Sequence, residues 1–195
     1  HRAFKESGFS YQVAYASKAF LCMEMCRVAR EENMSLDVVS GGELYTALQA
    51  GFPASRIHFH GNNKTEEEVV MALQANIGCF VVDNFFELEV LHDLAMQHGK
   101  FVNILIRVTP GVEAHTHEYI TTGQDDSKFG FGVSNGQAMQ AIGLALQKSN
   151  YNVLGIHSHI GSQIFETAGF VRAIEVLRQF LEEVREQTNY VVKVL

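Results

Sequence analysis

Cysteine is scarce in this sequence: Cys22, Cys26 and Cys79 are the only three in 195 residues. An odd, scattered set does not build the paired framework of a small secreted domain, so a reducing cytoplasm is the expected setting. Cys22 and Cys26 stand four residues apart and read as packing on a helix, since no other metal ligand lies near them in sequence. Positive charge is also short. Fifteen Lys and Arg against 22 Asp and Glu leave a formal net charge of −7, and no basic stripe offsets the acidic residues. That balance speaks against a nucleic-acid partner or an anionic membrane surface and favours small-molecule chemistry. No apolar run is long enough to span a bilayer, and His1-Arg2-Ala3-Phe4-Lys5-Glu6 lacks the apolar core of a signal peptide. No methionine opens the chain, so its beginning is expected to be missing. The one Gly-rich turn after an early strand, Ser40-Gly41-Gly42-Glu43, is not a GxGxxG, which removes the main support for a dinucleotide-binding fold.

What is present is a regular beat of short β-rich runs and amphipathic helical runs, in a chain whose 47% hydrophobic content is that of a soluble globular protein. Strands are expected at 12–16, 35–39, 57–60, 79–83, 101–108 and 153–159, and the helices after them at 20–33, 42–50, 65–76, 85–98, 134–148 and 167–187. A seventh strand is expected over 190–195. Such alternation calls for a parallel sheet, either open and doubly wound or closed as a (β/α)8 barrel. Parity favours the barrel: Val102, Ile104 and Ile106 share one face of their strand, while Asn103, Leu105 and Arg107 share the other, which ends polar. A complete barrel takes about 250 residues, so the expectation is an α/β chain carrying a truncated TIM-type barrel, about six βα units and the start of a seventh strand. The whole of 1–195 is then one partial barrel domain.

The last inward-facing positions of the strands are Lys18, Asp37, His60, Asp83, Arg107 and the pair His157 and His159. A structural barrel core would place Val, Ile and Leu there, so charge gathered at one end of the strands marks a site. Asp37 and Asp83 have a second reading, as N-caps of the helices that follow. Lys18 comes after Ala14 and Ala16, small residues that leave room on the inward face. A lysine held there would be desolvated, which favours the neutral amine and its attack on an aldehyde; a lysine snorkelling to solvent is the plainer alternative. The long connection from Thr109 to Gly132 holds His115, His117, Asp125, Asp126 and Lys128, and either borders a substrate pocket or makes a surface excursion.

Five blocks carry a family resemblance: Tyr15-Ala16-Ser17-Lys18-Ala19, Asp37-Val38-Val39-Ser40-Gly41-Gly42-Glu43-Leu44, His60-Gly61-Asn62-Asn63-Lys64-Thr65, Asp126-Ser127-Lys128-Phe129-Gly130 and Gly155-Ile156-His157-Ser158-His159-Ile160-Gly161-Ser162-Gln163. In this order they resemble the fold-type III, alanine-racemase-like pyridoxal-phosphate decarboxylases. Within that family Gly61-Asn62-Asn63-Lys64 and His157-Ser158-His159-Ile160-Gly161-Ser162-Gln163 are most similar to the branch that converts meso-2,6-diaminopimelate to L-lysine.

The resemblance implies pyridoxal 5'-phosphate as cofactor, Lys18 as the lysine forming the Schiff base with it, His159 lying flat on its ring, and Ser162 at its phosphate. It places Asp37 beside the lysine and brings Arg107 towards the cofactor, while His60, Asn62 and His157 are pocket candidates without a chemical role. It also implies a C-terminal β-domain, a Gly-rich phosphate loop and an acidic partner for the pyridine nitrogen, none of which is in this sequence. A homodimer completes each site in the family, so a chain of this length by itself is expected to be inactive. Three HxH pairs, His58 with His60, His115 with His117 and His157 with His159, support a rival reading as a zinc-dependent barrel hydrolase, although no metal is expected here. The remaining alternatives are a non-enzymatic carrier of the cofactor, or a decarboxylase of ornithine, arginine or carboxynorspermidine.

Overall fold

A computed structural model describes residues 2–112, 129–162 and 164–195. The chain divides into two compact units, His1–Phe80 and Val81–Leu195. Through both runs the expected alternation of parallel strands and helices, six βα units among the described residues, the architecture of a (β/α)8 TIM-type barrel of which this chain carries a part.

The first unit opens with α1 (Arg2–Ser7), followed by β1 (Ala14–Ala16) and a 3-10 turn, Ser17–Ala19. Then come α2 (Met23–Glu31), β2 (Ser35–Val38), α3 (Gly41–Gln49), β3 (Ile57–Phe59), α4 (Glu66–Ala75) and the first half of β4 (Cys79–Val82). Strand pairing is parallel throughout, with Ala16 opposite Asp37, Asp37 opposite His58, and Phe59 opposite Phe80. Strands β2 and β3 have a buried apolar face: Leu36, Val38, Ile57 and Phe59 have no exposed surface. Burying one such side chain is worth about 1.5–3 kcal/mol, so a register slip of one residue, which would turn Asp37 and His58 into this core, is strongly disfavoured. The loops end in explicit caps. Ser40 accepts from the Glu43 N–H at the start of α3, and Thr65 and Glu68 form a capping box on α4. Glu68 reaches further, its Oε1 accepting from the Gly41 N–H at 2.6 Å. One carboxylate thereby serves the N-termini of two helices.

Two local features depart from the sequence pattern. The helix expected from Phe20 begins at Met23, because Ser17–Ala19 closes a 3-10 turn and Phe20 is extended, with its carbonyl accepting from the Tyr15 hydroxyl at 2.8 Å. Helix α1 was not anticipated, since it buries no residue and so carries no apolar stripe; Phe4 stacks on Tyr11 with centroids 5.3 Å apart.

The second unit holds the end of β4, then α5 (Phe85–Gln97), β5 (Val102–Thr109), β6 (Phe131–Gly132), α6 (Gln137–Gln147), β7 (Tyr151–Ser158) and α7 (Ala168–Thr188). Strand β7 runs parallel to β5, with Val102 opposite Tyr151 and Arg107 opposite His157. The short β6 pairs with the end of β5 at Val108 and Phe131. The two-faced reading of β5 holds: Val102, Ile104, Ile106 and Val108 are buried, whereas Asn103, Arg107 and Thr109 are partly open. Of the long connection after β5, residues 113–128, with His115, His117 and Asp126 to Lys128, lie outside the described residues.

The strand expected over 190–195 forms only a single parallel bridge, Gly155 to Val194. Lys193 and Val194 both donate to the carbonyl of Leu154, at 3.1 Å each, so the segment cannot start a regular ladder there. This bridge explains Gly155, where an added Cβ would come within 2.0 Å of the Val194 carbonyl oxygen.

Candidate active site

In the first unit the polar face of β2 and β3 gathers Asp37, His58 and His60. His58 Nδ1 lies 3.0 Å from Asp37 Oδ1, and His60 Nε2 lies 3.4 Å from the same oxygen. The cluster follows from strand geometry: Asp37 and His58 are register partners, and His60, two residues on, shares the face of His58. Strand β3 itself stops at Phe59, one residue short of expectation, but the His60 N–H still donates to the Val38 carbonyl at 2.7 Å and keeps the ring in line. Burial by itself would raise the Asp37 pKa; the hydrogen bonds from His58 and His60 outweigh it and hold the carboxyl well below the usual carboxylate range.

Lys18 sits on the 3-10 turn just past β1, two residues beyond Ala16, whose partner is Asp37. It is exposed, as are Ala14 and Ala16. The expected desolvation of the lysine is therefore not seen: the small side chains that leave room on this face also cover nothing. The turn itself is anchored, with Ser17 buried and its hydroxyl lacking a hydrogen-bond partner among the described residues. Asn62 is exposed on the loop after β3, and Lys64 donates to the Gly61 carbonyl at 2.8 Å.

In the second unit, Arg107 Nη1 lies 3.2 Å from Asp83 Oδ1, with Asp83 almost wholly buried. The Asp83 N–H donates to Glu87 Oε2 at 2.8 Å. The Arg107 guanidinium also lies over the Phe129 ring, 4.6 Å from its centroid. That stacking depends on Gly130, which has a left-handed φ of 73° and a position where a Cβ would meet the Arg107 carbonyl oxygen at 2.9 Å. Neither aspartate serves as an N-cap: Ser40 caps α3 and Asn84 caps α5, leaving both carboxylates to side-chain partners. His157 is half-buried beside Arg107 in the ladder, and the Ser158 hydroxyl is buried without a hydrogen-bond partner among the described residues. His159, one residue past the end of β7, and Ser162, four residues past it, are exposed, and Gln163 lies outside the described residues.

Sequence reasoning counted Asp83 among the polar strand ends without assigning it a partner or a role, and treated His58 only as half of an HxH pair. Register was the missing signal. A strand residue shows its side-chain face in sequence, but its lateral neighbour appears only when the strands are paired.

The first unit presents an accessible amine on its 3-10 turn, and the second, taken by itself, presents an exposed imidazole and hydroxyl after β7.

The whole chain, residues 1–195, matches the family model described as pyridoxal-dependent decarboxylase, pyridoxal binding domain. It is 59% identical to the diaminopimelate decarboxylase of Bacillus subtilis, over 100% of this chain and 44% of that protein, and 51% identical to that of Staphylococcus aureus over 94% and 43%. Among solved structures it resembles the diaminopimelate decarboxylase of M. jannaschii in complex with L-lysine, with a TM-score of 0.87, 38% identity, and coverage of 98% of this chain and 44% of that one. The chain thus spans less than half the length of these relatives.

Proposed function

The chain belongs to the pyridoxal-dependent decarboxylases, and from that premise we propose that the whole protein uses pyridoxal 5'-phosphate to decarboxylate meso-2,6-diaminopimelate to L-lysine. The observation that carries this reading is identity of 59% to a diaminopimelate decarboxylase across the full length of the chain. The L-lysine bound in the M. jannaschii relative supports the same product class.

Bound pyridoxal phosphate supplies an electron sink for the bond pair released when carbon dioxide departs. The protein's part is to hold and orient. We assign Lys18 as the covalent anchor, since its amine is accessible and its backbone is fixed by the Tyr15 bond to Phe20. Asp37, kept ionised by its two histidines, would supply negative charge that favours a protonated nitrogen near the C-terminal end of β2. Ser162 is assigned to the phosphate and His159 to the ring face. Arg107, held by Asp83 and Phe129, is assigned as a cofactor contact. His60, Asn62 and His157 are assigned to the pocket wall. A cytoplasmic homodimer is part of the same proposal; among the described residues no helix is long and apolar enough to cross a membrane.

The test is borohydride reduction of the whole protein with cofactor, followed by peptide mapping. A phosphopyridoxyl mass on the peptide containing Lys18 is the expected result, and a label confined to any other lysine overturns the assignment.

A further inference from the structure

Asp37, His58 and His60 offer more than a hydrogen-bonded carboxylate. Asp37 Oδ1 lies 3.0 Å from His58 Nδ1 and 3.4 Å from His60 Nε2, and the candidate donor atoms of all three side chains fall within 4.8 Å of one another. Two donors on one tetrahedral zinc ion, each about 2.0–2.1 Å from the metal, stand roughly 3.3 Å apart. The distances on the Asp37 oxygen already bracket that value. The side chains are partly withdrawn from solvent, Asp37 being 25% exposed, His58 27% and His60 12%. Asp37 and His58 are carried on two paired parallel strands, and His60 continues the second through its bond to Val38, so the donor set is held by backbone ladders rather than by mobile loops.

We propose that these three residues form a binding site for a divalent transition metal of the zinc class. Two imidazole nitrogens and one carboxylate oxygen suit Zn2+ or Co2+, and disfavour Ca2+ or Mg2+, which take oxygen ligands. Three protein ligands leave a fourth position for water or a small anion. On binding, each ligating imidazole nitrogen presents its lone pair, so any proton it carried towards Asp37 leaves for the other ring nitrogen or for solvent. No bond is made or broken apart from coordination. The site needs only the first unit. Because Asp37 is also the carboxylate assigned near the anchor lysine, occupancy is expected to inhibit cofactor loading, a consequence that rests on the proposed function, whereas binding itself does not.

The experiment is equilibrium dialysis of the whole protein against Zn2+, paired with Co2+ titration read by visible absorption. One equivalent of zinc per chain and an intense tetrahedral cobalt band are expected. His58→Gln and His60→Gln should each weaken zinc binding more than about tenfold, the scale seen when even second-layer metal partners are removed. His98→Gln, at the exposed end of α5, serves as the control and should bind as the parent does. Circular dichroism checks that each variant is folded, and Asp37→Asn gives an independent removal of a ligand should a histidine variant not fold. Zinc binding below one equivalent, or unchanged in the folded His58, His60 and Asp37 variants, overturns the site. Borohydride labelling with and without zinc separates the two ideas: loss of Lys18 labelling on adding zinc supports the inhibitory link, and full labelling beside bound zinc rejects that link alone. Absence of Lys18 labelling in zinc-free protein counts against the cofactor assignment and leaves the metal measurement standing.

Discussion

Asp37 and His58 are direct partners across two parallel strands, and their side chains meet with His58 Nδ1 3.0 Å from Asp37 Oδ1. A second imidazole, from His60, approaches the same oxygen. The carboxylate is thus kept charged in a place where burial would otherwise push it towards neutrality.

This pair sets a pH dependence. The folded-state pKa of Asp37 is depressed, so its contribution to stability is fully present above the unfolded carboxylate value of about 4 and is lost as pH falls through the folded value. In urea melts run from neutral to acid pH, the parent should lose more stability than Asp37→Asn. Parallel pH curves for the two would reject the linkage.

Glu68→Gln tests the shared cap. The carboxylate accepts from the Thr65 and Gly41 N–H groups, and these bonds hold its pKa below the ordinary value against a burial effect that raises it. Loss of a cap interaction costs about 1 kcal/mol, and here two helix starts depend on one side chain. A fall in the urea midpoint is expected at neutral pH, and the gap to the parent should narrow as pH falls through the depressed folded-state value of the parent's own carboxyl.

Removing Asp83 should be severe. Its buried carboxylate is paired with Arg107, and breaking a buried ion pair from one side costs about 3–5 kcal/mol. Asp83→Ala is expected to fall in that range in chemical denaturation. The double variant Asp83→Ala, Arg107→Met should recover part of the loss; an additive double variant would mean the pair does not act as a unit.

Gly155→Ala probes the bridge to the last residues of the chain. The new methyl would stand 2.0 Å from the Val194 carbonyl oxygen, so this backbone must move apart. Overpacking of this kind costs about 1–3 kcal/mol. Amide exchange at Ile156, whose N–H donates to Val194, should rise selectively, and unchanged protection there would refute the close approach.

Lys18→Ala in the whole protein should abolish turnover of diaminopimelate with little change in thermal stability, because the side chain is exposed. Residual turnover at the parental rate would exclude Lys18 as the anchor.

Much of this was readable from the chain alone. Alternation of apolar and polar residues along 102–107 showed the two faces of β5, because side-chain direction in a strand has a period of two. The strand expected over 79–83 is found at Cys79–Val82, where all four residues are buried. Helix α1 was not legible, having no buried face, and neither was the 3-10 turn at Ser17–Ala19, which depends on a tyrosine hydroxyl reaching a carbonyl five residues away.

By itself, then, the order of residues determined the βα rhythm, the polar strand ends and the lysine that follows Ala16, since these depend on periodicity and on local side-chain type. Which polar groups meet was decided by tertiary structure. Lateral register put His58 against Asp37, and the approach of a buried aspartate chose Asp83 as the partner of Arg107. A linear chain carries the facing direction of each residue but not its neighbour on the next strand, because that neighbour is selected by how whole apolar faces pack.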